Sequence, residues 1–214
     1  MMDRNIIDHN AYSKFALGWV SPILATHEGN VTLHPSVSTG NCLLVPTAKG
    51  WNGSSFDEYL LIEMYAPEGL NTKDSLAPYA KGFPQAFSRY GVRIYHVDAR
   101  LCIYAGNNKR DYTDTLTTTG FFRSAIANSN TGVRSKDRRF KLLQLLDYSG
   151  VNQAETTAAS TSASLWGDES VFTFASYQNE FPLAGTMNNG QEFSYKITFE
   201  FLDREGVTVS LETI

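Results

Sequence analysis

The feature that most narrows the fold of this chain is a strict alternation near its end. Phe193, Tyr195, Ile197, Phe199 and Phe201 alternate with Ser194, Lys196, Thr198 and Glu200. Successive side chains of a strand point to opposite faces, so this run predicts a strand with one apolar and one polar face. Asp203-Arg204-Glu205-Gly206 reads as a turn, after which Val207, Val209 and Leu211 oppose Thr208, Ser210 and Glu212. The two runs predict a terminal β-hairpin, buried on one side and wet on the other. A hairpin alone is marginal in water, so other strands must cover its apolar face.

Two earlier runs supply central strands. They are Asp57-Glu58-Tyr59-Leu60-Leu61-Ile62-Glu63, with a strand expected over Tyr59–Tyr65, and Gly91-Val92-Arg93-Ile94-Tyr95-His96-Val97-Asp98, within a strand expected over Gly91–Arg100. In the first, Leu60, Ile62 and Met64 share a face opposite Leu61 and Glu63. In the second, Val92, Ile94, His96 and Asp98 oppose Arg93, Tyr95 and Val97. Glu63 and His96 therefore stand among apolar neighbours. A buried carboxylate must be paired or protonated, and Arg93, His96 or Lys14 could serve Glu63. A His/Glu/Asp cluster could do acid–base work or hold a metal. The favoured reading is a polar network of Glu63, Arg93, His96 and Asp98 that fixes strand register. A catalytic cluster would also need a nucleophile or an activated water, which no motif supplies.

The rest of the chain fits around these strands. With 214 residues, 13% aromatic and only 19% charged, rich in Thr and Ser, it suits one β-rich domain. The expected fold is mostly β: an antiparallel β-sandwich or barrel-like sheet with a short N-terminal helix and long loops. Asp8 or Asn10 is placed to cap a helix over Ala11–Leu17 that ends at Gly18, with Phe15, Leu17 and Trp19 anchoring it on the sheet. Glu28-Gly29-Asn30 reads as a hairpin-like turn between Ile23–Ala25 and Val31–His34, and Asn41–Pro46 reads as a short strand. Residues 66–90 form a long connection packed by its own aromatics. Leu101–Tyr104 continues the second central strand past a bulge. Phe140–Asp147 and Val171–Ala175 read as strands, and 151–165 as a loop with some helical character.

Several function classes fall away. The net charge is −4, and the one dense basic run, Arg134 to Lys141, is interrupted by Asp137 and has no interleaved aromatics, so no nucleic-acid role is expected. No apolar run is long enough to span a membrane, and no signal peptide is expected at Met1-Met2-Asp3-Arg4-Asn5. Cys42 and Cys102 each lie in an apolar run and read as buried free thiols; a disulfide between them would require export. HExxH, GxSxG, P-loop and GxGxxG patterns are all missing. Trp51 and Trp166 are the aromatics that could stack on a sugar.

Three stretches carry a family resemblance. Met1-Met2-Asp3, Asp8-His9-Asn10-Ala11-Tyr12-Ser13-Lys14 and Leu17-Gly18-Trp19-Val20-Ser21-Pro22 resemble the segment that follows the zinc motif in secreted bacterial metallopeptidases of the immune inhibitor A type. The two central strands resemble two later landmarks of that family, in the same order and spacing. The resemblance covers residues 1 to about 105, and 140–175 more weakly. It implies that the zinc ligands and general-base glutamate sit on an upstream HExxH helix that this chain lacks. It implies that Met2 matches the methionine turn beneath the metal, a packing role. It divides the chain into a catalytic-domain remnant, 1–22, and a β region, 23–214. No cofactor is expected here: zinc belongs to the parent family, and calcium is the one ion left open. The expected function is that of a non-catalytic C-terminal region of an exported zinc metallopeptidase, inactive alone, whose partner is the upstream catalytic half or a second copy meeting at the N-terminal apolar patch. The alternative is an autonomous extracellular module that binds carbohydrate or a surface protein.

Overall fold

A computed structural model describes residues 8–78, 85–105, 109–112, 123–125, 141–150, 160–177, 181 and 185–214, with 102–105, 109–112 and 123–125 as backbone. Met2, the basic residues 134–139, Tyr79 and Phe83 of the long connection, and 151–159 lie outside that set.

Two sheets face each other. The first runs in the order β1 (Ile23–Leu24), β3 (Leu43–Pro46), β4 (Glu58–Tyr65), β5 (Gly91–Asp98), β9 (Leu143–Leu146). The second runs β10 (Val171–Phe172), β11 (Tyr195–Glu200), β12 (Val207–Thr213), β2 (Gly29–Leu33). Every pairing is antiparallel except β1 with β3. Leu60, Ile62, Met64, Val92 and Ile94 from the first sheet meet Phe172, Ile197, Phe199, Val209 and Leu211 from the second in one core. This is the mostly β, sandwich-like arrangement that the alternations predict. Each such aliphatic or aromatic side chain, fully buried, contributes about 1.5–3 kcal/mol.

The outer face of the first sheet is covered too. Leu44, Tyr59, Leu61, Tyr95 and Val97 form a second cluster with Ala11 of helix α1 (Ala11–Ala16). Asn10 caps that helix by accepting a hydrogen bond from the Ser13 backbone N–H, and Gly18 beyond its end takes φ 72°. Because both faces are covered, all eight residues of β4 and all eight of β5 are buried. Such strands read as near-continuous apolar runs, and any polar residue within them needs a partner.

Several local expectations give way to tertiary pairing. The Glu28-Gly29-Asn30 turn does not make a hairpin: β1 pairs parallel with β3, whereas β2 pairs with β12 in the other sheet. Leu17 and Trp19 do not anchor α1; they are 54% and 60% exposed, and only Phe15 packs inward, near Trp51 and Tyr59. Phe201 leaves the apolar face of β11, with φ 56° and 78% exposure, as the strand ends one residue earlier. Val171–Ala175 is a strand only over Val171–Phe172, followed by a helical turn over Phe174–Tyr177. Leu101–Tyr104 does not extend β5: β6 (Leu101–Ala105) is the middle strand of a separate sheet between β7 (Lys109–Tyr112) and β8 (Arg123–Ala125). The 66–90 connection holds a 3-10 turn over Gly69–Asn71 and a helix over Thr72–Leu76, and its end is tied down where Tyr65 Oη donates to the Phe87 carbonyl at 2.8 Å.

Gly91 opens β5 for a packing reason. A Cβ there would lie 2.7 Å from Leu165 Cβ. Its absence lets the 165–166 segment bond to Val92 through Val92 N–H to the Trp166 carbonyl, 2.8 Å, and the reverse bond at 3.0 Å.

Candidate functional site

The pairing of β4 with β5 decides where the polar residues of the central strands meet. Its register sets Glu58 opposite Asp98, Leu60 opposite His96 and Glu63 opposite Arg93. Facing residues lie on the same side of a sheet, so Glu58, His96 and Asp98 share the inter-sheet face with Leu60 and Ile62. Glu63 and Arg93 share the outer face with Leu61 and Tyr95. The cluster of Glu63, His96 and Asp98 that the sequence allows is therefore split by the sheet into two separate networks.

The inner network centres on Glu58. Its carboxylate accepts from His96 Nε2 at 2.8 Å, from the Asn188 backbone N–H at 2.6 Å and from the Asn189 backbone N–H at 2.6 Å. Asp98 accepts from Arg100 Nε at 2.8 Å and Nη2 at 3.0 Å, a two-pronged pair, and from Asn188 Nδ2 at 2.9 Å. The His96 ring packs against Phe181, with centroids 4.7 Å apart. Glu58, His96 and Asp98 are 1%, 2% and 0% exposed.

The outer network joins β4 and β5 to the N-terminal helix. Arg93 Nη2 lies 2.7 Å from Glu63 Oε1, while Ser36 Oγ donates to Glu63 Oε2 at 2.7 Å. Lys14 Nζ of α1 donates to the Ser36 carbonyl at 2.8 Å and to Asp8 at 2.5 Å. The Arg93 guanidinium lies 4.8 Å from the Tyr65 ring centre and 5.7 Å from that of Tyr95. Burial works against the Arg93 charge, but Glu63, Tyr95 and Tyr65 outweigh it and hold the proton more firmly than usual. Burial raises the Tyr95 phenol; Arg93 opposes that rise and Glu63 adds to it.

Chemically, Glu58 and His96 form the oriented-base half of a nucleophilic triad. Among the described residues no hydroxyl or thiol is hydrogen-bonded to that imidazole, and the pair is closed from solvent. Nor does the donor set suit a metal. Arg100 already occupies Asp98 as a cation, and no group of three His, Cys, Asp or Glu among the described residues is placed to hold an ion.

The remaining candidates fall in different places. Trp166 is not a ligand-contact aromatic: it is 1% exposed, its Nε1–H donates to the Leu146 carbonyl at 2.9 Å, and its ring meets Phe172, Tyr177 and Phe199. Trp51 is half-buried at the edge of a groove and donates from Nε1 to the Ser54 carbonyl at 2.6 Å. Cys42 is a buried free thiol. Burial pushes its pKa up to about 12, Glu63 adds to that, and Lys14 opposes it.

Sequence reasoning missed Glu58, Arg100 and Asn188. Glu58 has the parity of Leu60 and Ile62, and Arg100 has the parity of Asp98, so both were open to a face count. Asn188 and Asn189 reach Glu58 across about 130 residues of chain, and no local pattern points to them. No family model, curated protein or solved structure matches this chain.

Proposed function

We propose that this chain is a non-catalytic β-sandwich region of an exported zinc metallopeptidase of the immune inhibitor A type, with the catalytic chemistry carried by a separate half of that protein. The observation that carries this reading is the enclosure of Glu58, His96 and Asp98. A general acid or base must come within hydrogen-bond reach of a substrate, and these groups spend their polar atoms on one another, on Arg100 and on the 188–189 backbone. They act as a register lock between β4, β5 and the lead into β11. A second feature supports the reading. Leu17, Trp19, Ile23 and Leu24 are all exposed within eight residues of chain. An apolar surface of this kind suits a protein neighbour, either the catalytic half or a second copy.

The test is a casein-hydrolysis assay on the purified chain with added zinc, alongside an active zinc protease. No hydrolysis above blank is expected. Hydrolysis that requires zinc and disappears in His96→Ala, with the fold retained by circular dichroism, would overturn the proposal.

A further inference from the structure

A groove of about 350 Å³ opens where the ends of the two sheets meet. Leu24 of β1 and Thr47 just after β3 line it from the first sheet. Ser194, Tyr195 of β11 and Thr213 of β12 line it from the second, and Trp51 closes one side. Its volume lies at the lower end of the range for small-ligand sites. We propose that this groove binds a neutral carbohydrate.

Three observations favour that occupant. The described lining contains no Asp, Glu, Lys or Arg, and the exposed Glu28 carboxylate that accepts from the Thr213 N–H at 3.0 Å would repel an anion, so an acidic sugar or a nucleotide would lose hydration without gaining a partner. The lining pairs two aromatic side chains, Trp51 and Tyr195, with the hydroxyl of Ser194, and with Thr213 and Thr47, whose hydroxyls are held by Glu28 and, at 3.3 Å, by Asn189 Nδ2. Aromatic rings take the apolar C–H face of a pyranose, and hydroxyls donate to and accept from its rim. The groove is also pre-organised. Trp51 Nε1 is held by the Ser54 carbonyl, the 47–50 turn closes through Gly50 N–H to the Thr47 carbonyl at 2.8 Å, and Ala48 N–H reaches the Glu192 carbonyl at 3.3 Å. A ligand therefore has less loop entropy to overcome. An extended peptide is the poorer fit. Adding a strand needs a row of unpaired backbone groups, and β1, the neighbouring edge, is two residues long.

This inference goes beyond the proposed function and does not depend on it: a sugar groove can sit on a catalytic or a non-catalytic protein. The probes are chitohexaose, cellohexaose, laminarihexaose and maltohexaose, titrated by calorimetry against the whole chain. At least one should bind at millimolar concentration or tighter. Trp51→Ala and Tyr195→Ala should each weaken it by about tenfold or more, and Trp19→Ala should leave it unchanged. Trp51 also packs near Phe15, so Leu24→Arg supplies a variant that charges the rim from a partly exposed position. It too should weaken binding by about tenfold, with an unchanged thermal midpoint. The proposal fails if none of the four sugars binds, if Leu24→Arg and Tyr195→Ala both keep wild-type affinity, or if a proline-rich peptide competes the sugar out at lower concentration.

Discussion

Glu58 and His96 lie diagonally across adjacent strands, offset by two residues in register, and bond directly, Nε2 to Oε1 at 2.8 Å, deep between the two sheets. The same carboxylate takes the backbone N–H groups of Asn188 and Asn189. One side chain thus holds two strands of the first sheet and the lead into the second.

Removing Glu58 should be costly. Glu58→Ala leaves one buried and one half-buried N–H group and a buried imidazole without their partner, and the expected loss is about 3–5 kcal/mol of unfolding free energy. Glu58→Gln keeps one acceptor oxygen and should lose less. Urea titration followed by fluorescence measures both. A loss under about 1 kcal/mol for Glu58→Ala would show that the network contributes little.

Glu63 and Arg93 test the outer face separately. Each single change, Glu63→Leu or Arg93→Leu, strands a buried charge and should cost about 3–5 kcal/mol. The double change removes both charges at once, and its cost should fall well below the sum of the two. The double-mutant cycle reads this coupling. Additive losses would mean that the 2.7 Å pair is not coupled.

Cys42 sets an alkaline limit. Its thiol is raised from an ordinary value of 9.0 to about 12, chiefly by burial. Between those values the unfolded chain has released this proton and the folded chain keeps it, so unfolding is favoured as pH climbs. The stabilisation is fully present below about pH 9 and is lost progressively towards pH 12. Tyr59 and Tyr95 are raised in the same direction by burial, and they steepen the fall. Chemical denaturation at a series of pH values should show stability dropping over that window, with a shallower drop in Cys42→Ala. Peptide-mapped iodoacetamide labelling at pH 8.5 should find Cys42 far slower than a free thiol; equal rates would contradict its burial.

What could be read from the sequence was whatever depends on side-chain parity within one element. The alternation of Val207, Val209 and Leu211, the start of the second central strand at Gly91 and the Asn10 cap of the first helix are local, and the structure places them as the pattern predicts, with that strand ending at Asp98 rather than Arg100. What could not be read depends on which strands become neighbours. Parity put Glu63 and His96 each on a face, but only the Leu60-to-His96 register shows that the faces differ. The Glu28-Gly29-Asn30 signal was sound turn chemistry, overridden because Val31 and Leu33 gain more by pairing with Val209 and Val207. Trp166 has the sequence neighbours of a loop residue, yet the missing Cβ of Gly91 makes room for its segment and takes its ring into the core.

The pairing of β2 with β12 has a bearing on synthesis as well as on stability. Gly29–Leu33 is synthesised long before its partner Val207–Thr213. Until then the second sheet lacks the strand that joins β2 to β11, and the apolar residues facing it across the sandwich have no lid. Closure of the sandwich therefore waits on a pairing between strands far apart in sequence, and long-range closure of this kind is slow. A chain whose apolar sheet faces stay open until β12 docks leaves a longer interval in which those faces can meet another copy.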